Sequence, residues 1–242
     1  MRYIANVSYD GSDFYGFQKQ PNERTIQEEL EIALTRINKN PVTVIAAGRT
    51  DRGVHAIGQM IHFDLDISIG EESLRVAVNS IIDESIYINY CELVDADFHT
   101  RFDASEKTYE YVFNLGEYDP FVNKYMYNYN RDLNVKAMKV ASKFLLGLNS
   151  YRAFVTGARP SENYDSVIYK IEFERQKDIL VIRFVGNNFY NHMIRNLVGA
   201  LMLVGEGKAN PEDLKQMIIR ETNLFNYATA PASGLYLVSI KY

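Results

Sequence analysis

Residues 25–65 read TIQEELEIALTRINKNPVTVIAAGRTDRGVHAIGQMIHFDL. Thr25 and Glu28 form a capping box, in which two side chains satisfy free amides at a helix start. Apolar residues then recur at the spacing of one helix face: Ile26, Leu30, Leu34 and Ile37. Two apolar stretches of strand character follow at 42–47 and 57–65. The stretch therefore predicts a helix at 25–38 and two strands after it.

The segments on either side complete an ordered set of elements. A strand at about 3–9 precedes the stretch, and a helix at 71–82 and a strand at 86–94 follow it. The second helix has its own apolar face: Leu74, Ala77, Val78 and Ile81. The resulting order, β-α-β-β-α-β, is that of the ferredoxin-like fold.

The second part of the chain repeats this order. Its predicted strands are 107–115, 167–176, 179–186 and 235–241, and its predicted helices are 134–147, 188–205 and a short one near 211–220. The apolar face of the long helix consists of Met193, Leu197, Ala200, Leu201 and Val204. Residues 149–165 are rich in breakers, so we expect a long loop there.

The sequence thus predicts an α+β fold of two ferredoxin-like halves, residues 1–103 and 104–242. Their strands would form a mixed, mostly antiparallel sheet with helices on one side. A central cleft between the halves is expected, and active sites favour such interfaces.

Composition is that of an ordinary soluble globular protein, with 47% hydrophobic and 24% charged residues in 242. No apolar run approaches the roughly 18 residues of a membrane span, and the N-terminus lacks the features of a signal peptide. The single cysteine, Cys91, excludes an intrachain disulfide and suits a reducing compartment. We therefore expect a cytoplasmic protein, with Cys91 buried in a strand.

The charge of the chain is unevenly distributed. The net charge is −5, with −8 over residues 1–103 and +3 over residues 104–242. Residues 121–160 carry seven basic side chains against one acidic side chain, and tyrosines are interleaved with them. Such a local field attracts a polyanion, although a basic solvated surface would give the same pattern.

Three lysines are spaced i, i+3, i+7 in the predicted helix at 134–147: Lys136, Lys139 and Lys143. They would share one helix face, and Met138, Ala141 and Leu145 on the opposite face would be buried. The lysine stripe is either a path for an RNA backbone or an ordinary solvated face.

The loop between the strands at 42–47 and 57–65 carries the strongest chemical pattern, AGRTDRGVHA at 47–56. Gly48 and Gly53 allow close approach of a ligand, and Arg49 and Arg52 favour the ionised form of Asp51. The alternative is a turn with a local ion pair. Metal-site, nucleophile-elbow and phosphate-loop motifs are absent, so no metal and no nucleotide cofactor are expected.

An ordered series of motifs resembles the TruA-type tRNA pseudouridine synthases. The motif GRTDRGVHA at 48–56 looks like the one that defines this family. Further matches cover nearly the whole chain: YDG at 9–11 with Phe14, Gly16 and Gln18; Gln59 and HF at 62–63; Asn79; KTYEY at 107–111; GNNF at 186–189; MIRNLVG at 193–199; TAP at 229–231; and GLYL at 234–237.

The resemblance implies isomerisation of uridine to pseudouridine at positions 38, 39 and 40 in the anticodon stem-loop of tRNA, by a homodimer without a cofactor. Asp51 would be the catalytic carboxylate, attacking C1′ of the ribose or removing a C2′ proton. Arg195 would pair with Asp51, and Tyr109 would stack on the flipped base. Arg49 would fill the space that the base leaves, and Asn79 would contact substrate.

Other interpretations of these residues and of the whole chain exist. Tyr109 could be ordinary sheet packing, and Arg195 could be a helix-surface charge. The same chemistry could act on other uridines or another RNA, or the chain could be a catalytically silent RNA-binding protein. The sequence also departs from the family pattern: it lacks tryptophan, and residues 149–151 and 221–225 differ in segments where RNA contact is expected.

Overall fold

The computed structural model describes residues 1–242 and divides the chain into two units. The first unit comprises Met1–Ser105 and Tyr236–Tyr242, and the second comprises Glu106–Leu235. The sequence placed the division after residue 103 and gave the last strand to the second half. In the structure, most of that strand clusters with the first unit.

The first unit has the predicted order of elements. They are β1 (Arg2–Tyr9), α1 (Ile26–Asn38), β2 (Ile45–Ala46), β3 (His55–Asp64), α2 (Glu71–Asn79) and β4 (Ile86–Val94). β1 pairs antiparallel with β3 and β4, and β2 pairs antiparallel with β3. The spatial order β4-β1-β3-β2 is that of a ferredoxin-like sheet. The last strand, β10 (Leu235–Lys241), adds a short parallel pairing to β3 at Tyr236 and Leu237.

The helices of this unit follow their local signals, with one exception. The hydroxyl of Thr25 accepts from the amide of Glu28 at the start of α1. Three residues of the predicted face are fully buried: Ile26, Leu30 and Leu34. α2 ends at Asn79, three residues earlier than predicted. Ile81 therefore lies beyond the helix and is 40% exposed, so the prediction that it faces the core is wrong.

The second unit contains five strands and three helices of its own. They are β5 (Glu106–Asn114), β6 (Tyr127–Asn128), α3 (Val135–Ser142), β7 (Gly147–Ser150), β8 (Asp165–Gln176), β9 (Ile179–Gly186), α4 (Met193–Gly205) and α5 (Pro211–Arg220). β5, β9, β8 and β7 pair antiparallel in that order, and β6 lies parallel to the end of β5. The α+β class is confirmed.

Two predicted helices are shorter in the structure. The long helix begins at Met193 rather than 188, because His192 has a φ of +57° and the segment before it is tied to β8. The Asn187 side chain accepts from the amide of Val167, and the carbonyl of Asn188 accepts from the hydroxyl of Ser166. α3 ends at Ser142, and a 3-10 turn follows at Lys143–Leu145.

Part of the predicted loop 149–165 is instead strand β7, which pairs with β8. Gly147 has a φ of +85°, and this turns the chain from the end of α3 into the strand. No helix of the structure combines the length and the apolar character needed to span a membrane.

Candidate active site

Asp51 lies in the loop between β2 and β3, in the first unit. The amide of Val54 donates to the carbonyl of Asp51 over 3.1 Å and closes a tight turn. Gly53 within this turn has a φ of +77°, a conformation that side chains with a Cβ rarely adopt. The turn leaves the Asp51 side chain partly exposed.

The segment after β1 holds this loop by close backbone contact. A Cβ on Gly11 would lie 1.9 Å from the carbonyl oxygen of Val54, and one on Gly16 would lie 2.8 Å from that of Thr50. The amide of Phe17 also donates to the Thr50 carbonyl, at 3.0 Å. Only glycine fits at these two positions, so residues 11–17 and 50–54 fix each other's path.

Buried polar side chains hold the same loop through hydrogen bonds. The hydroxyls of Tyr9 and Thr50 lie 2.8 Å apart. The Gln59 amide donates to the carbonyl of Gly48 over 2.8 Å. Burial raises the pKa of Tyr9 to about 12, so its hydroxyl stays protonated. This network ties the part of the loop before Asp51 to β1 and β3.

Of the two arginines that flank Asp51, Arg52 contacts an aromatic ring and Arg49 is exposed. The Arg52 guanidinium lies 4.0 Å from the ring centroid of Tyr15, in a cation–π arrangement. Arg49 is exposed. His55 Nδ1 accepts from the amide of Gly11 and its ring stacks on Tyr236, as expected for a packed histidine. No group of three or more His, Cys, Asp or Glu side chains is arranged to hold a metal ion.

Tyr109 and Arg195 both lie in the second unit. Tyr109 is in β5, is 7% exposed, and meets the ring of Phe189 edge-on at 5.3 Å between centroids. Arg195 is in the first turn of α4, and its Nε donates to the carbonyl of Ala230 over 2.7 Å.

Tyr111 connects the Tyr109 strand to the anchor of Arg195. It lies on the same face of β5 as Tyr109, and its hydroxyl donates to the carbonyl of Pro231 over 2.8 Å. Pro231 directly follows Ala230, which binds Arg195. Burial raises the pKa of Tyr111 well above its usual value, so this donor stays protonated.

Comparison with known proteins identifies the family. A family model described as tRNA pseudouridine synthase matches residues 5–103 and 141–242. The chain belongs to the tRNA pseudouridine synthase family. It is an isomerase that converts uridine to pseudouridine in tRNA. The matched ranges contain Asp51 and Arg195, whereas Tyr109 falls between them.

Full-length relatives agree with this assignment. The chain is 40% identical to the tRNA pseudouridine synthase A of Pseudothermotoga lettingae, covering 100% of this chain and 99% of the relative. It is 38% identical to that of Bacillus licheniformis and 40% identical to that of Listeria monocytogenes, with the same coverage.

Asn79 occupies a position in this synthase that local structure explains. Its Nδ2 donates to the carbonyl of Ile88 over 2.9 Å, and its Oδ1 accepts from the amide of Ile88 over 2.8 Å. The side chain therefore joins the end of α2 to β4. The expected substrate contact of Asn79 stays a prediction.

The lysine stripe of the synthase is exposed along α3 and the 3-10 turn after it: Lys136, Lys139 and Lys143. The residues predicted to be buried on the opposite face are all fully buried: Met138, Ala141 and Leu145. That part of the prediction is confirmed.

A groove in the second unit lies beside α4. Residues from 152–160 and 220–229, among them Arg152 and Arg220, line it together with Asn196 of α4. The Arg152 Nε donates to Glu221 over 3.0 Å and joins the two walls. Glu221 begins the segment that departs from the family pattern, so the divergent residues shape this groove.

Sequence reasoning missed several residues that support the site. Gly11 and Gly16 were noted only as parts of a motif, and a glycine pair near a candidate catalytic loop is a usable signal of close approach. Asn196 and Thr229 were likewise noted only as parts of motifs, because the hydrogen bond between them joins positions far apart in the sequence.

Proposed function

We propose that this synthase modifies uridines at positions 38, 39 and 40 in the anticodon stem-loop of tRNA, with Asp51 as its catalytic carboxylate and without a cofactor. The observation that carries the proposal is the Asp51 loop, which Gly11, Gly16 and the Thr50 hydroxyl hold in one conformation. A fixed carboxylate is what a reaction at a buried sugar edge requires.

The reaction needs no further reactant, because substrate and product are isomers. The N1–C1′ bond of uridine breaks, the base turns while bound, and a C5–C1′ bond forms. The proton leaves C5, and N1 gains a proton. Asp51 either attacks C1′ or takes a C2′ proton. Glycosidases need a second carboxyl group to protonate a departing oxygen, but here the base leaves and returns, so one carboxylate suffices.

Two residues of the second unit complete the proposed machinery. Tyr109 stacks on the flipped base and assists proton transfer at C5. Arg195 pairs with Asp51. The reacting sugar edge is hidden in stacked RNA, so the nucleotide must flip out, and Arg49 fills the space that it leaves. Support comes from the packing of Tyr109 on Phe189 and from the Ala230 anchor of Arg195.

The RNA backbone is proposed to follow the second unit. The exposed lysine stripe supplies cations in line, and the groove beside α4 offers a concave surface near Arg195. The family resemblance further supports a homodimer in which one tRNA touches both subunits. The proposed cytoplasmic location follows from the tRNA substrate. Light scattering tests the dimer, which should have twice the mass of one chain.

The deciding experiment compares Asp51→Asn with wild type on unmodified tRNA transcripts, mapping pseudouridine by chemical probing. We expect turnover below about one per cent of wild type, because loss of the reacting group costs several powers of ten. Binding of tRNA and the melting temperature should change little. The matched control is Asp97→Asn, an exposed aspartate of the same unit, which should keep full activity.

The same assay tests the target positions. Transcripts with cytidine at 38, 39 and 40 should give no product, and transcripts with uridine at only one of these positions should be modified there. Product at other uridines would move the enzyme to another target. Tight binding without product at any uridine would favour a silent RNA-binding protein.

A further inference from the structure

Asn196, the neighbour of Arg195 in α4, joins three segments of the second unit. Its Nδ2 donates to the carbonyl of Phe154 over 2.8 Å and to the hydroxyl of Thr156 over 3.2 Å. Its Oδ1 accepts from the hydroxyl of Thr229 over 2.7 Å. The residue is 5% exposed. A buried amide bonded at both ends has one orientation, since any rotation would leave its groups unpaired.

Ala230, the residue after Thr229, forms two hydrogen bonds with Arg195. The amide of Ala230 donates to the carbonyl of Arg195 over 3.2 Å, and the carbonyl of Ala230 accepts from Arg195 Nε over 2.7 Å. Ala230 is 2% exposed. The direction of the guanidinium therefore depends on where the Ala230 carbonyl lies.

The distance between this segment and α4 is set by Gly199. A Cβ at Gly199 would lie 2.3 Å from the carbonyl oxygen of Ala228, so only glycine lets the segment come this close. Close approach alone leaves the segment free to slide along the helix. The bond from Thr229 to Asn196 fixes its position along the helix axis, and the bond from Tyr111 to Pro231 holds its far end.

We propose that Asn196 and Thr229 are positioning residues for Arg195. Their hydrogen bond fixes the segment 228–231, and the Ala230 carbonyl then aims the guanidinium. The four rotatable bonds of an arginine side chain are thereby restricted before substrate arrives, which removes an entropic cost from the reaction. This inference rests on the proposed role of Arg195 in turnover.

The test replaces Thr229 by valine, which keeps the shape and removes the hydroxyl, and by serine, which keeps the hydroxyl. We expect Thr229→Val to lower kcat by about tenfold with little change in KM or melting temperature. Thr229→Ser should restore most of kcat. Thr43→Val is the matched control, because Thr43 is an exposed threonine of the first unit, and it should leave kcat unchanged. Unchanged kcat in Thr229→Val overturns the proposal.

A double-mutant cycle with Arg195→Met shows whether the effect passes through the arginine. If Thr229 acts by aiming Arg195, Thr229→Val should reduce kcat no further in the Arg195→Met background. Reductions that multiply would overturn the positioning role. If Arg195→Met alone leaves kcat unchanged, the proposed role of Arg195 fails instead, so the two failures are distinguishable. Tyr111→Phe removes the second tether of the segment and should give the same kcat-selective, non-additive loss even if Thr229→Val is unstable.

Discussion

Replacing Gly16 by alanine tests whether the segment after β1 holds the Asp51 loop in place. Gly16 has a φ of +89°, and a Cβ there would lie 2.8 Å from the Thr50 carbonyl oxygen and 3.2 Å from the carbonyl carbon of Asp51. The positive φ costs an L-residue about 1–2 kcal/mol, and overlap with packed atoms adds roughly 1–3 kcal/mol. Reduced freedom of the unfolded chain returns about 0.4–1 kcal/mol. We therefore expect Gly16→Ala to lose about 1–5 kcal/mol of stability.

Gly147 provides a control with the same backbone conformation and no overlap. Its φ is +85°, and no atom lies within 4 Å of a Cβ built there. Gly147→Ala should therefore lose only about 1 kcal/mol. The difference between the two variants isolates the contact with the Asp51 loop from the cost of positive φ.

Urea unfolding and steady-state pseudouridine formation are the assays. In Gly16→Ala the loop must shift away from the new methyl group, and misplacement by about 1 Å costs on the order of a hundredfold in rate. We expect kcat to fall at least about tenfold in Gly16→Ala and to stay at the wild-type value in Gly147→Ala. Equal stability and equal kcat in both variants would refute the argument that Gly16 holds the Asp51 loop in position.

Four other predictions concern metal, RNA, folding and pH. Turnover should persist in excess EDTA and without ATP, because the sequence lacks metal-ligand and phosphate-loop motifs; a strict metal requirement for chemistry would contradict this. Changing Lys136, Lys139 and Lys143 together to glutamine should raise KM, spare kcat and flatten the salt dependence of tRNA binding; an unchanged salt slope would make the stripe an ordinary solvated face. Asn79→Ala should lower stability by about 1–3 kcal/mol through two lost hydrogen bonds; a raised KM would support the predicted substrate contact, and an unchanged KM would leave Asn79 a structural residue alone. Burial lowers the pKa of His62 to about 4, so the unfolded chain binds the proton more tightly than the folded chain. The free energy of unfolding should therefore fall as the pH drops from about 6.5 toward about 4. His62→Gln should reduce this pH dependence, measured by urea titrations at pH 7 and pH 5.

The sequence predicts elements well where the signals are local. α1 has a Thr25 cap and buried residues at helical spacing, and both are found as expected. The start of α4 could not be predicted, because residues 188–192 lie in a helical pattern. Hydrogen bonds from Asn187 and Asn188 to β8 hold that segment out of the helix. Propensity is a weak prior, and tertiary contacts override it.

The candidate site shows the same contrast between local signals and contacts that form only in the folded chain. Asp51 was predicted from its own neighbours, since glycines and arginines flank it in the sequence. Asn79 was assigned to substrate by resemblance, and its backbone partner at Ile88 could be found only in the folded chain. The bond between Asn196 and Thr229 is of the same kind, because it depends on where α4 meets a distant segment.

Residues that take no part in the reaction but position the reacting groups explain why the family resemblance extends over the whole chain. Gly11 and Gly16 touch the backbone on both sides of Asp51, and Gly199 touches the segment that anchors Arg195. A Cβ at any of the three would move a proposed catalytic side chain without replacing it. The position of each reacting group is therefore encoded in a different stretch of sequence from the group itself. A chain that kept Asp51 and Arg195 but lost these glycines would hold both side chains out of position. We expect it to be a poor enzyme with a nearly normal affinity for tRNA.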